Sequence, residues 1–236
     1  MAVMSKGTSP RALARTAGAF YLFYVVAGIV AQELISERLI VWGDAAATAS
    51  HILSHESLFR LGFTIYLIEM VGQIVTTVLF YQLLKPVNKT VALLAVILGV
   101  VGCTIKTLGR LFYYAPLLIV GPGSSLSALD TNQLQALSLL LLKVNDHAAA
   151  MALVFFGFET VLEGYLIVRS TFLPRILGVV AVIGGLGWLA FLWPPLGYRV
   201  FPYVAAVALL GLLAMIAWLL IVGVNEERWK AQAAGG

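Results

Sequence analysis

Long uninterrupted apolar runs decide what this chain can fold into. They cover residues 16–34, 57–84, 90–120, 146–168, 172–192 and 201–224. A helix of about 20 apolar residues crosses the roughly 30 Å hydrocarbon core of a bilayer. The apolar residues are continuous rather than alternating, which favours helices over the strands of a barrel. The sequence therefore predicts an all-α integral membrane protein, a six-helix bundle that forms a single transmembrane domain over residues 1–236.

The overall composition agrees with this prediction. Hydrophobic residues make up 61% of the chain and charged residues 11%, whereas soluble domains average roughly 45–50% and about 25%. A soluble globular protein, a disordered chain and a nucleic-acid-binding protein are thereby excluded, and the lipid bilayer becomes the expected partner. The single cysteine, Cys103, excludes an intrachain disulfide and any multi-cysteine metal site.

Proline and glycine mark the ends of the runs. They occur in residues 85–89, 121–125 and 193–197. Proline lacks a backbone N–H and disfavours helix in the residue before it, so these segments predict breaks. Pro174 is expected in the first turn of the fifth run, where proline is tolerated.

Two shorter helices are also predicted on the outer side of the membrane. Asp44 is placed to cap a helix over residues 45–53, and Asp130 or Thr131 to cap one over residues 133–143. The second would have about a dozen residues, which is too short to cross a bilayer and typical of an interfacial segment.

The loops between the runs carry an uneven share of positive charge. One side collects Lys6, Arg11, Arg15, Lys85, Lys89, Arg169, Arg175, Arg228 and Lys230, and the other collects Arg38, Lys143 and Arg199. Cytoplasmic loops are enriched in Lys and Arg. The bias predicts a multi-pass protein of the inner (plasma) membrane with both termini in the cytoplasm. The first run is interpreted as a span and not as a cleaved signal, because Ile29-Val30-Ala31 makes a poor cleavage site.

Five ionisable side chains and one amide fall within the apolar runs. They are Glu69 and Gln73 in the second, Lys106 and Arg110 in the third, and Glu159 and Glu163 in the fourth. Each pair is spaced i,i+4 and so shares one helix face. A charge at the bilayer centre costs roughly 2.5–3.5 kcal/mol on the insertion scale, so such residues normally face the protein interior and pair.

Depth along the helices indicates which charges meet. At about 1.5 Å per residue, Glu69, Lys106 and Glu159 lie near the membrane midplane, and Lys106 is predicted to pair with at least one of the two carboxylates. Arg110 lies roughly 9 Å further out and is predicted to reach Glu33. The six residues together are the predicted site for a small polar ligand, an ion or a proton.

The three histidines, His51, His55 and His147, all fall on the predicted outer side. His51 and His55 are spaced i,i+4, as two ligands of one metal on a helix would be. The segment lacks the glutamate of an H-E-x-x-H motif, and we expect neither a metal nor another cofactor. If a metal did bind, these histidines would be its candidate ligands.

Several short stretches recur together in one known group of proteins. They are GDAAATA (43–49), LFRLGF (58–63), LKPVNK (84–89), FFG (155–157), GYL (164–166) and FLPRILG (172–178). In this order they resemble a broad bacterial family of multispanning inner-membrane proteins of unknown function. The resemblance implies a six-helix inner-membrane bundle and implies no particular chemistry.

Three functions remain open from the sequence. The first is binding or transport of a small polar molecule, an ion or protons in a buried charged cavity. The second is a structural or accessory subunit without its own activity, associated with a membrane protein partner or with further copies of itself. The third is a membrane enzyme that uses outer-face His, Asp and Glu residues, and the lack of a recognisable catalytic motif weighs against it.

Overall fold

The structure is a computed structural model that describes residues 9–121 and 128–235. Residues 122–125 of the predicted break after the third run, and Lys6 of the predicted cytoplasmic side, lie outside the described residues. Within the described part of the chain the secondary structure is helical and no strand occurs. The prediction of an all-α fold is confirmed.

Among the described residues, six helices are long and apolar enough to cross a membrane. In chain order, spans one to six are Pro10–Leu39, Glu56–Leu84, Lys89–Val120, Thr131–Arg169, Arg175–Leu192 and Pro194–Ile221. Span five consists of an α-helix over Arg175–Trp188 and a 3₁₀ turn over Leu189–Leu192. Glu226–Ala234 forms a further short helix after span six.

The first predicted short helix is present as a separate element. It runs over Ala45–Ser54, and the Ala47 N–H donates to Asp44 Oδ1 at 2.9 Å, as expected of an N-cap. Its interfacial location stays a prediction.

The second predicted short helix does not exist as a separate element. Asp130 does cap a helix, because the Gln133 N–H donates to Asp130 Oδ1 at 2.9 Å and the Gln133 side chain accepts from the Asp130 N–H at 3.0 Å. That helix, however, continues from Thr131 to Arg169 as span four. The prediction that span four begins near residue 146 is therefore wrong, because no proline or glycine interrupts residues 131–156.

Span six begins earlier than the sequence predicted. It starts at Pro194 and not at residue 201, and it contains Pro202. Proline is tolerated in the first turn of a helix because the N–H groups there have no intrahelical partner. The two prolines at 194 and 195 thus end span five and open span six together.

Span one contains an irregular segment near its end. The α-helix over Pro10–Ile29 passes into a π-helix over Val30–Ser36, followed by one α-helical turn over Glu37–Leu39. Wider π-helical turns shift the side chains that follow and often occur at functional sites. This segment holds Gln32 and Ser36, which both contribute to the polar network described below.

The described residues pack into two compact units. The first comprises the described parts of Met1–Leu22, Gly72–Cys103 and Met151–Gly236. Its apolar core joins span two, through Phe80 and Leu83, to Leu166 of span four and Leu219 of span six. Within this unit spans four and five approach closely, because a Cβ on Gly185 would lie 2.8 Å from the Gly157 carbonyl oxygen.

The second unit comprises Phe23–Val71 and Thr104–Ala150. Its core contains Ile52 from the short helix and a group of aromatic side chains, with Phe59 stacked on Tyr113 at a centroid distance of 4.4 Å. Tyr66 meets Tyr113 edge-on at 5.2 Å. These rings surround the buried polar groups of this unit.

Candidate functional site

Lys106 and Glu69 form a buried ion pair in the second unit. Lys106 Nζ lies 2.6 Å from Glu69 Oε1, and the two side chains are 20% and 5% exposed. The short turn over residues 85–88 makes spans two and three antiparallel, and these residues stand at nearly equal distances from it. The prediction that Lys106 pairs with at least one of Glu69 and Glu159 is confirmed.

One oxygen of this carboxylate remains without a partner. Glu69 Oε2 is buried and accepts no hydrogen bond from the described residues. The backbone of span one closes over the carboxylate, because a Cβ on Gly28 would lie 3.0 Å from Glu69 Oε1. A buried unsatisfied acceptor costs about 1–3 kcal/mol, so Glu69 retains capacity for one more donor.

Arg110 lies in the same unit but does not contact Glu33. Its Nη1 donates to Asn145 Oδ1 at 3.0 Å, and its guanidinium carbon lies 3.4 Å from the centroid of the Tyr66 ring. Within the described chain neither an ion pair nor a hydrogen bond joins Arg110 to Glu33, so that prediction is wrong. Span four extends outward far enough to present Asn145, and this amide and the face of the Tyr66 ring both hold the guanidinium. Its buried Nε has no hydrogen-bond partner among the residues described.

A chain of neutral hydrogen bonds adjoins these charges. Tyr66 Oη donates to Gln32 Oε1 at 2.6 Å and lies 3.0 Å from Ser36 Oγ. The Ser36 hydroxyl donates to Tyr113 Oη at 3.1 Å. None of these residues was predicted from the sequence, because they are uncharged and the π-helical segment that positions two of them carries no recognisable sequence signal.

Glu159 is buried in the first unit. It accepts a hydrogen bond of 2.8 Å from Thr77 Oγ1 on span two. Gly99 on span three gives the carboxylate its space, since a Cβ at that position would overlap Glu159. Its predicted membership in a cluster with Lys106 stays a prediction.

Glu163 lies one helical turn further along span four and lines a cavity of about 320 Å³. The cavity lies within the first unit, and its walls are mostly apolar. They are Tyr21, Phe80, Thr160, Ile167, Val180, Ala181, Gly184, Trp188, Ala205, Ala208, Leu209, Gly211, Leu212 and Met215. Glu163 is the only carboxylate among the described residues that line it, and a carboxylate there can hold a proton or a cation.

Gln73 and the histidines are not part of these arrangements. Gln73 is half-buried on span two. His55 Nδ1 lies 3.2 Å from the His51 carbonyl oxygen, and His147 Nδ1 lies 2.8 Å from the Lys143 carbonyl oxygen. Over residues 9–121 and 128–235, no group of three or more His, Cys, Asp or Glu side chains could hold a metal ion. The alternative of a membrane enzyme therefore gains no support from the histidines.

Six apolar spans with ionisable side chains buried between them define a polytopic α-helical membrane protein, whose environment is the lipid bilayer. Residues 16–223 match the family model of DUF4386, a domain of unknown function. The chain belongs to this family, and the predicted resemblance to a multispanning family of unknown function is confirmed. No curated protein and no solved structure matches the chain.

Proposed function

We propose that this protein binds, or transports, a small polar molecule, an ion or a proton within the membrane. The observation that supports this proposal is that the Glu163 carboxylate lines a cavity of about 320 Å³ between membrane-spanning helices. Charges at this depth normally pair or mark ion and substrate pathways. Among the described residues Glu163 forms no ion pair.

The neighbouring polar groups support the same proposal. Glu159 lies one turn from Glu163 on the same helix face and is held by Thr77. We propose these two carboxylates as the primary binding groups. We also propose Gln73 of the first unit, and separately Glu69, Lys106 and Arg110 of the second unit, as binding residues. Within the second unit the unpartnered atoms of Glu69 and Arg110 have capacity for a ligand or an ordered water.

A structural or accessory role is the second candidate. It is favoured by the pairing seen inside the second unit, where Lys106 is held by Glu69, and Arg110 is held by Asn145 and Tyr66. Polar contacts between transmembrane helices contribute only about 0.6 kcal/mol on average. These contacts explain how Lys106 and Arg110 are held inside the second unit. They do not explain the carboxyl group of Glu163.

The proposed topology follows from the distribution of Lys and Arg. We propose one transmembrane domain over residues 1–236 in the inner (plasma) membrane, with both termini in the cytoplasm. Cysteine-accessibility labelling in intact cells tests it, because a cysteine introduced at Lys230 should be protected from an impermeant maleimide.

The functional test compares ligand-dependent stabilisation in two proteins. Thermal unfolding of the purified wild type is measured with Na⁺, K⁺, glycine, glucose and choline, and between pH 5 and 8. A ligand present at 100 times its Kd stabilises by about 2.7 kcal/mol. We expect at least one condition to stabilise the wild type and to leave the double variant Glu159→Gln/Glu163→Gln unchanged.

The matched control is Glu227→Gln, which removes an exposed carboxylate outside the spans. It should respond as the wild type does. The proposal fails if no condition stabilises the wild type or if the double variant responds equally. Loss of folded, monodisperse double variant would favour the structural role.

A further inference from the structure

The chemistry of the cavity walls restricts what can occupy the cavity. Its described lining contains one carboxylate, Glu163, and no Lys, Arg or His. The other polar groups are the hydroxyls of Thr160 and Tyr21 and the indole N–H of Trp188. An anionic ligand would meet a carboxylate and no cation, so the lining selects against anions.

Aromatic side chains form part of the same walls. Tyr21, Phe80 and Trp188 line the cavity, and the first two meet edge-on at a centroid distance of 5.7 Å. Aromatic faces attract ammonium groups, by about 2 kcal/mol or more where water is excluded. Recognition of quaternary ammonium ligands commonly uses such rings.

The neighbouring carboxyl groups also favour a cation. Glu159 and Glu163 are spaced i,i+4 on one helix face, and neither forms an ion pair with a Lys, Arg or His among the described residues. Thr77 donates a hydrogen bond to Glu159 but adds no charge. A bound cation would offset the repulsion between the two carboxylates.

Size and surface exclude several other occupants. A cavity of about 320 Å³ lies at the small end of ligand sites, which favours a small ligand over a peptide. Spans five and six contribute five small residues to the walls beside larger apolar ones; the small residues are Ala181, Gly184, Ala205, Ala208 and Gly211. A bare Ca²⁺ or Mg²⁺ ion needs about six or more oxygen ligands, which these walls do not supply.

We propose that this cavity binds a small organic cation, an ammonium group attached to an apolar or aromatic body. Glu163 pairs with the ammonium group, while the aromatic rings and the small-residue wall hold the body. This inference rests on the proposed function and specifies its ligand class. A lipid acyl chain is the competing occupant, and it would gain nothing from the carboxylate.

The test uses two probes that differ in charge and share a shape. Binding of 4-phenylbutylamine and of the neutral 4-phenylbutanol to the purified full chain is measured by isothermal titration calorimetry in one detergent. We expect the amine to bind about tenfold or more tighter than the alcohol. We expect Glu163→Gln to weaken amine binding about tenfold and to change alcohol binding by less than about twofold.

A second pair of variants tests the location without touching the carboxylate. Ala208 lines the cavity on span six, whereas Ala206 on the same helix is exposed and does not line it. Ala208→Leu should weaken binding of the amine at least about tenfold by filling the cavity, and Ala206→Leu should leave it unchanged. This pair decides the location even if Glu163→Gln does not fold.

Two results would overturn the inference, and they bear differently on the proposed function. If the amine and the alcohol bind equally and both lose affinity in Ala208→Leu, the cavity accepts neutral amphiphiles and does not select cations. The proposed function of ligand binding would then still hold. If neither probe binds the wild type, and Ala208→Leu gives the same calorimetric signal as the wild type, the proposed organic-cation site does not exist. The proposed function would then fall only if the stabilisation screen were negative as well.

Discussion

Removing Lys106 should harm the protein more than removing Lys106 together with its partner. In the single variant Lys106→Met, the Glu69 carboxylate loses its ion pair, formed at 2.6 Å, while its side chain is only 5% exposed. Stranding one partner of a buried ion pair costs about 3–5 kcal/mol. Replacing both partners with neutral residues is often close to neutral, so the double variant Lys106→Met/Glu69→Gln should recover most of the loss.

The quantity to measure is the coupling free energy of the double-mutant cycle. The free energy of unfolding is obtained by SDS titration in mixed micelles for the wild type, both single variants and the double variant. We expect a coupling of at least about 3 kcal/mol, at the upper end of the range for residues in contact, because the double variant should recover most of the about 3–5 kcal/mol that the single variant loses. The buried geometry is the reason for this magnitude, because exposed pairs contribute only about 0.2–1 kcal/mol.

The chain contains a matched exposed pair for comparison. Arg60 Nη2 lies 2.7 Å from Glu56 Oε1, and the two side chains are 51% and 36% exposed. The cycle Arg60→Met with Glu56→Gln should give a coupling of about 0.3–0.5 kcal/mol. Additive effects at Lys106 and Glu69, or equal couplings in the two cycles, would refute the reasoning from burial.

Three further outcomes follow from the structure. Gly99→Ala should destabilise by about 1–3 kcal/mol through overlap with a buried carboxylate, whereas Gly43→Ala, with no atom within 4 Å, should be neutral in the same unfolding assay. Elemental analysis should find far less than one zinc per chain, because zinc sites take about three or four protein ligands and residues 9–121 and 128–235 hold no group of three or more His, Cys, Asp or Glu side chains that could bind a metal. A full zinc equivalent that is lost in His51→Ala would contradict this. The hydrogen bond from Ser9 lowers the pKa of Glu226, so its contribution to stability is present above the unfolded-state pKa and is lost as the pH falls through the lowered folded-state pKa. The difference in stability between wild type and Glu226→Gln should therefore shrink in acid, and a difference independent of pH between 7 and 3 would contradict the assignment.

Helix ends were predictable where proline, glycine or a cap determines them. Span two ends at Leu84 and span three begins at Lys89, on either side of the Pro86 turn, as the sequence indicated. Residues 143–147 carry charged and polar side chains but no helix breaker, so hydropathy predicted a boundary where the backbone continues. Polarity marks the depth of a residue in a membrane, and it does not by itself end a helix.

The sequence predicted those contacts of the candidate site that follow from the depth of each residue along its helix. Lys106 and Glu69 lie at matching distances from one short turn, and that symmetry brings them together. The partner of Arg110 was not predictable, because Asn145 was assigned to an outer connection. The cavity beside Glu163 is lined by five helices, and its volume depends on how these helices pack. No local sequence pattern predicts such a volume.

The central claim is that Glu163 presents a reactive carboxyl group to an accessible cavity inside the membrane-spanning helices. Dicyclohexylcarbodiimide, an apolar reagent that forms adducts with carboxyl groups, can enter such a site, and peptide mass spectrometry locates the adduct. We predict modification at Glu163 in preference to Glu69, slowed by 4-phenylbutylamine and unaffected by 4-phenylbutanol. Absence of an adduct on Glu163, or modification at a rate that 4-phenylbutylamine does not change, would contradict the claim.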